Sequence, residues 1–245
     1  MLELPNVTLL TVTSKTYMHG AIRALKYSMK NIKFAEVLYI SDVKPRHLPS
    51  DIKFKSMTEF NDVNDFNYFM VYDLFKYVDT DFALIVHYDG FVVHPECWRD
   101  DFLNYDFIGS PWPLPDENDK VTYRDINGNI CRVGNSVSIR SKRLMELPSK
   151  INMPWEKFGG WYNEDGFICV NCKHIFEEHG MKYAPLDVAK FFGHESMIPE
   201  VEGITPFVFH KWAGTNSNYP NRIYSETVWL KERIKRKIHR TVKHG

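Results

Sequence analysis

The chain has 245 residues, enough for one large α/β domain or two small ones with a real core. Its 44% hydrophobic and 25% charged content is that of a globular protein, and no apolar run reaches the length of a membrane span. A formal net charge of zero argues against a general nucleic-acid binder, so no nucleic-acid partner is expected.

Met1-Leu2-Glu3-Leu4-Pro5 lacks the basic start and apolar run of a secretory leader, so a cytoplasmic protein is expected and the Asn6-Val7-Thr8 sequon carries no meaning. Val7 to Val12 is apolar and β-branched, a first strand ending at Thr11-Val12-Thr13-Ser14. Ile22, Leu25, Met29 and Ile32 then recur at the spacing of an amphipathic helix. Val37-Leu38-Tyr39-Ile40 reads as a second strand ending at Ser41-Asp42, and Ile52 to Ser56 as a third, shorter one. A carboxylate such as Asp42 just past a strand suits a ribose or base edge, although such residues also cap helices. Phe66, Phe69, Met70, Leu74, Tyr77 and Val78 trace a second helical face that leads into Ala83–Val86, a strand apolar enough to be covered on both sides. The order βα, β, β, α, β is a Rossmann-like nucleotide-binding half. It carries neither GxGxxG nor GxxxxGK[ST], which counts against a dinucleotide enzyme or a P-loop NTPase.

The apolar run stops at His87-Tyr88-Asp89-Gly90, where an open α/β sheet would present a ligand. Asp89 supplies a hard oxygen ligand there and Gly90 permits close approach, but Asp-Gly is equally the signature of a hairpin turn. Beyond it, Pro95 to Asn104 reads as a short helix and Asp116 to Asn129 as a polar loop. Val133 to Ser141 reads as a strand, Ile168 to His179 as a helical face, and Phe207-Val208-Phe209-His210 as a late strand ending in a ligand. Cys97, Cys131, Cys169 and Cys172 are too scattered for a disulfide framework; the last two make a CxxC without a second pair and are expected to pack as small apolar residues.

His87-Tyr88-Asp89-Gly90, Asp106-Phe107-Ile108-Gly109-Ser110-Pro111-Trp112, Val133-Gly134-Asn135 through Arg140-Ser141, and Asn163-Glu164-Asp165 occur in that order. In this the sequence resembles a GT-A-type glycosyltransferase, and more narrowly a bacterial polysaccharide-locus family known mainly as a domain of unknown function. The resemblance implies a single GT-A-like α/β domain over 1–228 with a mixed central sheet. It also implies transfer of a sugar from a nucleotide-sugar donor to a surface-glycan acceptor such as lipopolysaccharide or capsule.

The same resemblance distributes roles. Asp89 matches the last carboxylate of the family's Asp-x-Asp and His210 the histidine that completes its metal site, together holding Mn²⁺ or Mg²⁺. His87 stands where the first aspartate belongs, a departure that puts metal dependence in doubt. Thr11, Thr13, Asp42, His87, Asp89 and Lys211 are expected at the donor, with Lys211 meeting phosphate as a point charge. Trp161 to Asp165 looks like the Trp-Gly-x-Glu-Asp element of inverting galactosyltransferases. Asp165 is then the base for the acceptor hydroxyl, with Glu164 holding the acceptor or raising its neighbour's pKa. Trp161, Asn163 and Asn135 would meet the acceptor; a plain helix N-terminus accounts for residues 163–165 equally well.

From Trp229 onward Leu230, Ile234, Ile238 and Val242 recur every four residues among seven lysines and arginines. Residues 229–245 therefore read as a basic amphipathic helix, either an anchor on an anionic membrane face that carries a lipid-linked glycan or a packed helix with a solvated face. Two rival functions remain at this stage: a non-catalytic carbohydrate-binding protein on a transferase fold, and a nucleotidyltransferase, for which Thr13-Ser14-Lys15-Thr16 is a poor match.

Overall fold

The apolar, β-branched stretches assemble into a six-stranded mixed sheet in the computed structural model, which describes residues 1–115, 123–155 and 163–220. Strands β1 (Leu2–Val12), β2 (Ile32–Ser41), β3 (Lys53–Ser56) and β4 (Phe82–Ile85) run parallel, while β6 (Phe107–Pro111) and β7 (Val133–Ser141) form an antiparallel pair on the β4 side. The order is β3-β2-β1-β4-β7-β6, and β5 (Gly90–Val92), β8 (Gly193–His194) and β9 (Val208–His210) make a second, three-stranded sheet.

Strand periodicity divides the core in two. Leu9, Val37, Tyr39, Leu84 and Ile139 face the layer of α1 (Met18–Ser28) through Ala21, Ala24 and Leu25. Leu10, Leu38, Ile40, Ala83 and Ile85 face the layer of α2 (Val63–Tyr72) through Phe69 and Met70. A third cluster, under β6 and α3 (Lys142–Lys150), gathers Phe107, Trp112, Leu144, Phe167, Cys169 and Phe176. Cys169 and Cys172 are buried there, in agreement with their expected packing role.

Several boundaries differ from the sequence reading. The first helix stops at Ser28; Asn31 turns the chain with φ of 60°, and Ile32 opens β2, which is far longer than Val37–Ile40. The 66–78 face splits into α2, capped by Asp62 accepting from the Asn64 and Asp65 amides, and a 3₁₀ turn at Leu74–Tyr77. Pro95–Asn104 is two 3₁₀ turns, not one helix. The 168–179 face is broken: α4 (Glu164–Gly166) leads into a π-helical segment, Phe167–Asn171, before α5 (Lys173–Glu178). Helix α3, helix α6 (Leu186–Phe192) and the two-residue β8 were not anticipated. Part of the 116–129 loop, Trp161 and the 229–245 helix lie outside the described residues.

Parts of two motifs are architectural. Asp106 receives both Arg143 nitrogens (Nε 2.6 Å, Nη2 2.5 Å), the Ser141 hydroxyl (2.6 Å) and the Lys182 amide (2.8 Å). Hydrogen bonds from Arg143 and Ser141 outweigh burial and hold its carboxyl below the usual range. A Cβ on Gly109 would sit 1.8 Å from the Gly134 carbonyl oxygen, and one on Gly134 would sit 2.0 Å from the Trp112 ring. Gly134→Ala is therefore expected to cost about 1–3 kcal/mol, read as a lower urea midpoint at unchanged slope.

Candidate functional site

The stretch after β4 is both the turn and the site. His87 N–H donates to the Gly90 carbonyl at 2.7 Å and Gly90 N–H to His87 at 3.2 Å, closing a hairpin over Tyr88 and Asp89. The chain passes here from the large sheet to the small one, and the Gly90↔His210 register of β5 with β9 brings His210 to the turn. A Cβ on Gly90 would lie 2.6 Å from Val137 Cγ2 and 2.8 Å from His210 Cδ2, so only glycine admits this approach.

A cavity of about 470 Å³ opens at the carboxyl ends of β1 and β4. Tyr17, Phe60, Phe66 and Tyr88 give it aromatic walls, with Tyr17 and Tyr88 stacked at 4.1 Å and 10°. Thr13, Ser14, Asp62, His87, Asp89, Ser136 and His210 supply its polar groups, and Asp62 is already committed to capping α2. Size and composition are those of a small-molecule site.

His210 Nε2 lies 3.7 Å from Asp89 Oδ1, and its Nδ1 lies 3.2 Å from Glu195 Oε1 without hydrogen-bond alignment. Glu195 also accepts from Lys211 Nζ (2.5 Å) on Oε1 and from Asn135 Nδ2 (2.8 Å) on Oε2. Against the cost of burial, His210 and Lys211 pull the Glu195 carboxyl down to about 2. His87 Nε2 is buried without a hydrogen-bond partner; burial, then repulsion from His210, pushes its pKa down to about 4. Among the described residues no group of three or more His, Cys, Asp or Glu forms a metal cage. What the protein offers a cation is the Asp89–His210 pair, one hard oxygen and one imidazole nitrogen, a donor set that fits Mn²⁺ and, less well, Mg²⁺.

Glu164 and Asp165 differ sharply despite adjacency. Glu164 is 2% exposed and accepts from the fully buried Arg140 (Nη2 to Oε1, 3.1 Å), while its amide donates to Asn67 Oδ1 at 3.3 Å. Arg140, with Ser136 and His87, keeps that carboxyl below its usual range despite burial. Asp165 accepts only from the Gly166 amide (2.8 Å) among the hydrogen bonds found; burial and the neighbouring Glu164 charge raise it to about 7. The Asn163 side chain makes no capping bond, which weakens the helix-cap explanation of this triplet.

These shifts carry opposite signs for stability. Asp165 is raised from 3.8, so its contribution is complete below that value and is lost as pH rises to about 7. His87 is lowered from 6.5, so its contribution is complete above that value and is lost as pH falls to about 4. Each acts at about 1.4 kcal/mol per pH unit inside its window, so the two largely offset in the native protein. Asp165→Asn should leave the His87 slope exposed, with melting temperature dropping more steeply than native between pH 6.5 and 4.5.

Of the residues expected at the donor, Thr13, His87 and Asp89 line the cavity, and His210 joins them. Thr11 is buried in the sheet and Asp42 accepts from the Ser41 hydroxyl (3.1 Å); neither lines the cavity. Lys211 spends its ammonium on Glu195, not on the cavity, and Asn135 is held by Glu195 and by the Val137 amide on its Oδ1 (3.0 Å). Glu195, Ser136 and Tyr17 join the site without having been expected there. Glu195 follows a two-residue strand, too short to leave a periodic signal.

A family model described as "Protein of unknown function (DUF5672)" matches residues 46–210, more than half of the chain. No curated protein matches the sequence. Among solved structures the chain is similar to the galactosyltransferase LgtC in complex with donor and acceptor sugar analogs, with TM-score 0.50 and 13% identity over 85% of this chain and 87% of that one. It is also similar to the apo-form glycosyltransferase GlyE of Streptococcus pneumoniae TIGR4 (TM-score 0.44, 9% identity, 92% of this chain, 59% of that one). A third likeness is to a glycosyltransferase involved in glycosylation of the major capsid of PBCV-1 (TM-score 0.45, 12% identity, 86% and 95%). At 13% identity the first likeness is one of fold, and the fold is a single GT-A-like α/β domain with a mixed central sheet.

Proposed function

This chain belongs to the DUF5672 family, and we propose that it is a glycosyltransferase moving a sugar from a nucleotide-sugar donor to a bacterial surface glycan, with inversion. The observation that carries the reading is the aromatic-walled cavity at the strand ends with Asp89 and His210 converging on it. A flat base suits the aromatic walls, and a diphosphate would be met through a cation held by Asp89 and His210, since the carboxylates alone would repel it.

Breaking the bond to the diphosphate leaves negative charge on the departing group, and no lysine or arginine is among the residues lining the cavity. Asp89 and His210 would hold Mn²⁺ or Mg²⁺, which when bound supplies that missing positive charge. Asp165, near neutrality in pKa, is the acceptor's base, and Arg140 holds Glu164 charged beside it. Trp161 would stack on the acceptor ring. The proposed acceptor is lipid-linked, which suits a basic 229–245 segment lying on an anionic membrane.

A panel of nucleotide sugars with and without Mn²⁺ tests this by thermal shift. The correct donor at a hundred times its Kd in Mn²⁺ should stabilise by about 2.7 kcal/mol, and by less at the same concentration without Mn²⁺; no shift with any donor would sink the proposal. His87 in place of a carboxylate favours, as second reading, a glycan-binding protein without turnover, and donor hydrolysis separates the two. Truncation after Trp229 should release the protein from anionic vesicles at low salt while leaving hydrolysis intact, each lost cation removing about 1 kcal/mol. Unchanged vesicle binding would return that segment to a packing role.

A further inference from the structure

His210 stands between two carboxylates, Glu195 on its Nδ1 side at 3.2 Å and Asp89 on its Nε2 side at 3.7 Å. A neutral imidazole has one N–H and can serve only one of them. The two carboxylates are not equivalent. Glu195 is anchored from elsewhere, by Lys211 Nζ on Oε1 and Asn135 Nδ2 on Oε2, and Asn135 is itself fixed by the Val137 amide on its Oδ1. Asp89 holds the opposite side of the ring on a two-residue turn. Backbone conformation marks the same cluster: of the four non-glycine residues with positive φ among those described, Asn135 (101°) and Lys211 (61°) belong to it. Such outliers persist where surrounding structure holds them.

We propose that Glu195 is a positioning residue, braced by Asn135, that fixes His210 as the Nδ1–H tautomer and turns its Nε2 lone pair toward Asp89. Two electron-pair donors then face one gap 3.7 Å apart, which disfavours the gap unless a cation enters it. Glu195 is the only carboxylate at Nδ1 among the described residues, and a small rotation of the ring would align that 3.2 Å contact as the outer hydrogen bond that sets tautomer and orientation in histidine ligands generally. Lys211, paired with Glu195, compensates the charge of that carboxylate and is thereby withheld from phosphate. The inference rests on the reading that Asp89 and His210 meet the donor's cation, but its first test needs neither donor nor turnover.

Long-range ¹H–¹⁵N correlation of the His210 ring at pH 8 in the native protein should give a pyrrole-like Nδ1 and a pyridine-like Nε2. In Glu195→Gln, whose amide presents either an oxygen or an NH₂ to the ring, that pattern should be lost. Its affinity for Mn²⁺ alone, read by electron paramagnetic resonance of the free ion, should fall by about 10–100-fold. Asn135→Ala, which removes the brace and keeps the carboxylate, should lose less. An Nε2–H or doubly protonated ring in the native protein, or equal Mn²⁺ affinity in native and Glu195→Gln protein, would overturn the assignment. If the tautomer and the Mn²⁺ loss are found but no nucleotide sugar binds, the assignment stands and glycosyl transfer falls.

Discussion

Asp165→Asn is expected to slow glycosyl transfer by about 10²–10⁴-fold while donor affinity stays near native, because the amide keeps the shape but accepts no proton at neutral pH. The two carboxyls of the Glu164-Asp165 pair are already separated by environment. Arg140 fixes Glu164 as the charged partner, and that buried charge, added to burial, leaves Asp165 near 7, where a base gains most from protonation balance. The native pH–rate profile should therefore carry an acidic limb near 7, and the variant should lose it along with the rate. Single-turnover transfer and melting temperature on one preparation decide the matter. Near-native transfer with only a small change in melting would mean that the base lies elsewhere.

The largest stability effect is expected at Glu164. Glu164→Ala would strand the guanidinium of Arg140, which is fully buried and already has Nη1 without a hydrogen-bond partner. Breaking such a pair from one side costs about 3–5 kcal/mol, whereas replacing both members by apolar residues of similar volume is often neutral. Glu164→Leu combined with Arg140→Met should thus recover much of what Glu164→Ala loses in a urea titration. A Glu164→Ala loss below about 1 kcal/mol would show that water or a rearranged Arg140 satisfies the charge.

Legibility followed the length and continuity of the pattern. The second halves of β1 and β2, residues 7–12 and 37–40, and residues 83–85 of β4 are buried on both faces and read directly as apolar runs, and the Rossmann-like order followed from them. Asp89 was found because a carboxylate interrupts such a run, and His210 because a late strand ends in it. Helix α3 has its apolar residues crowded into Leu144, Met145 and Leu147 among charged neighbours, too few turns to establish a period. Glu195 had no local signal at all; it comes within 3.2 Å of His210 only because β8, which it follows, lies parallel to β9. Conversely, Asp106 and Gly134, which help to carry the resemblance, serve packing through an ion pair and a close approach to Trp112, while Asn135, Ser136 and Arg140 of the same stretch reach the candidate site.

The passage of the chain between two sheets at His87–Gly90 has a consequence for synthesis and assembly. Asp89 is made early and His210 more than a hundred residues later, and β5 has no partner in its sheet until β9 arrives. The large sheet can pair β1 to β4 while the chain is still growing, but Asp89 and His210 cannot meet until β9 docks, a contact of high sequence separation and correspondingly slow closure. A nascent chain released before β9 would hold the paired β1–β4 half of the large sheet and yet lack His210 beside Asp89, so on the proposed reading donor binding would report completion of the fold.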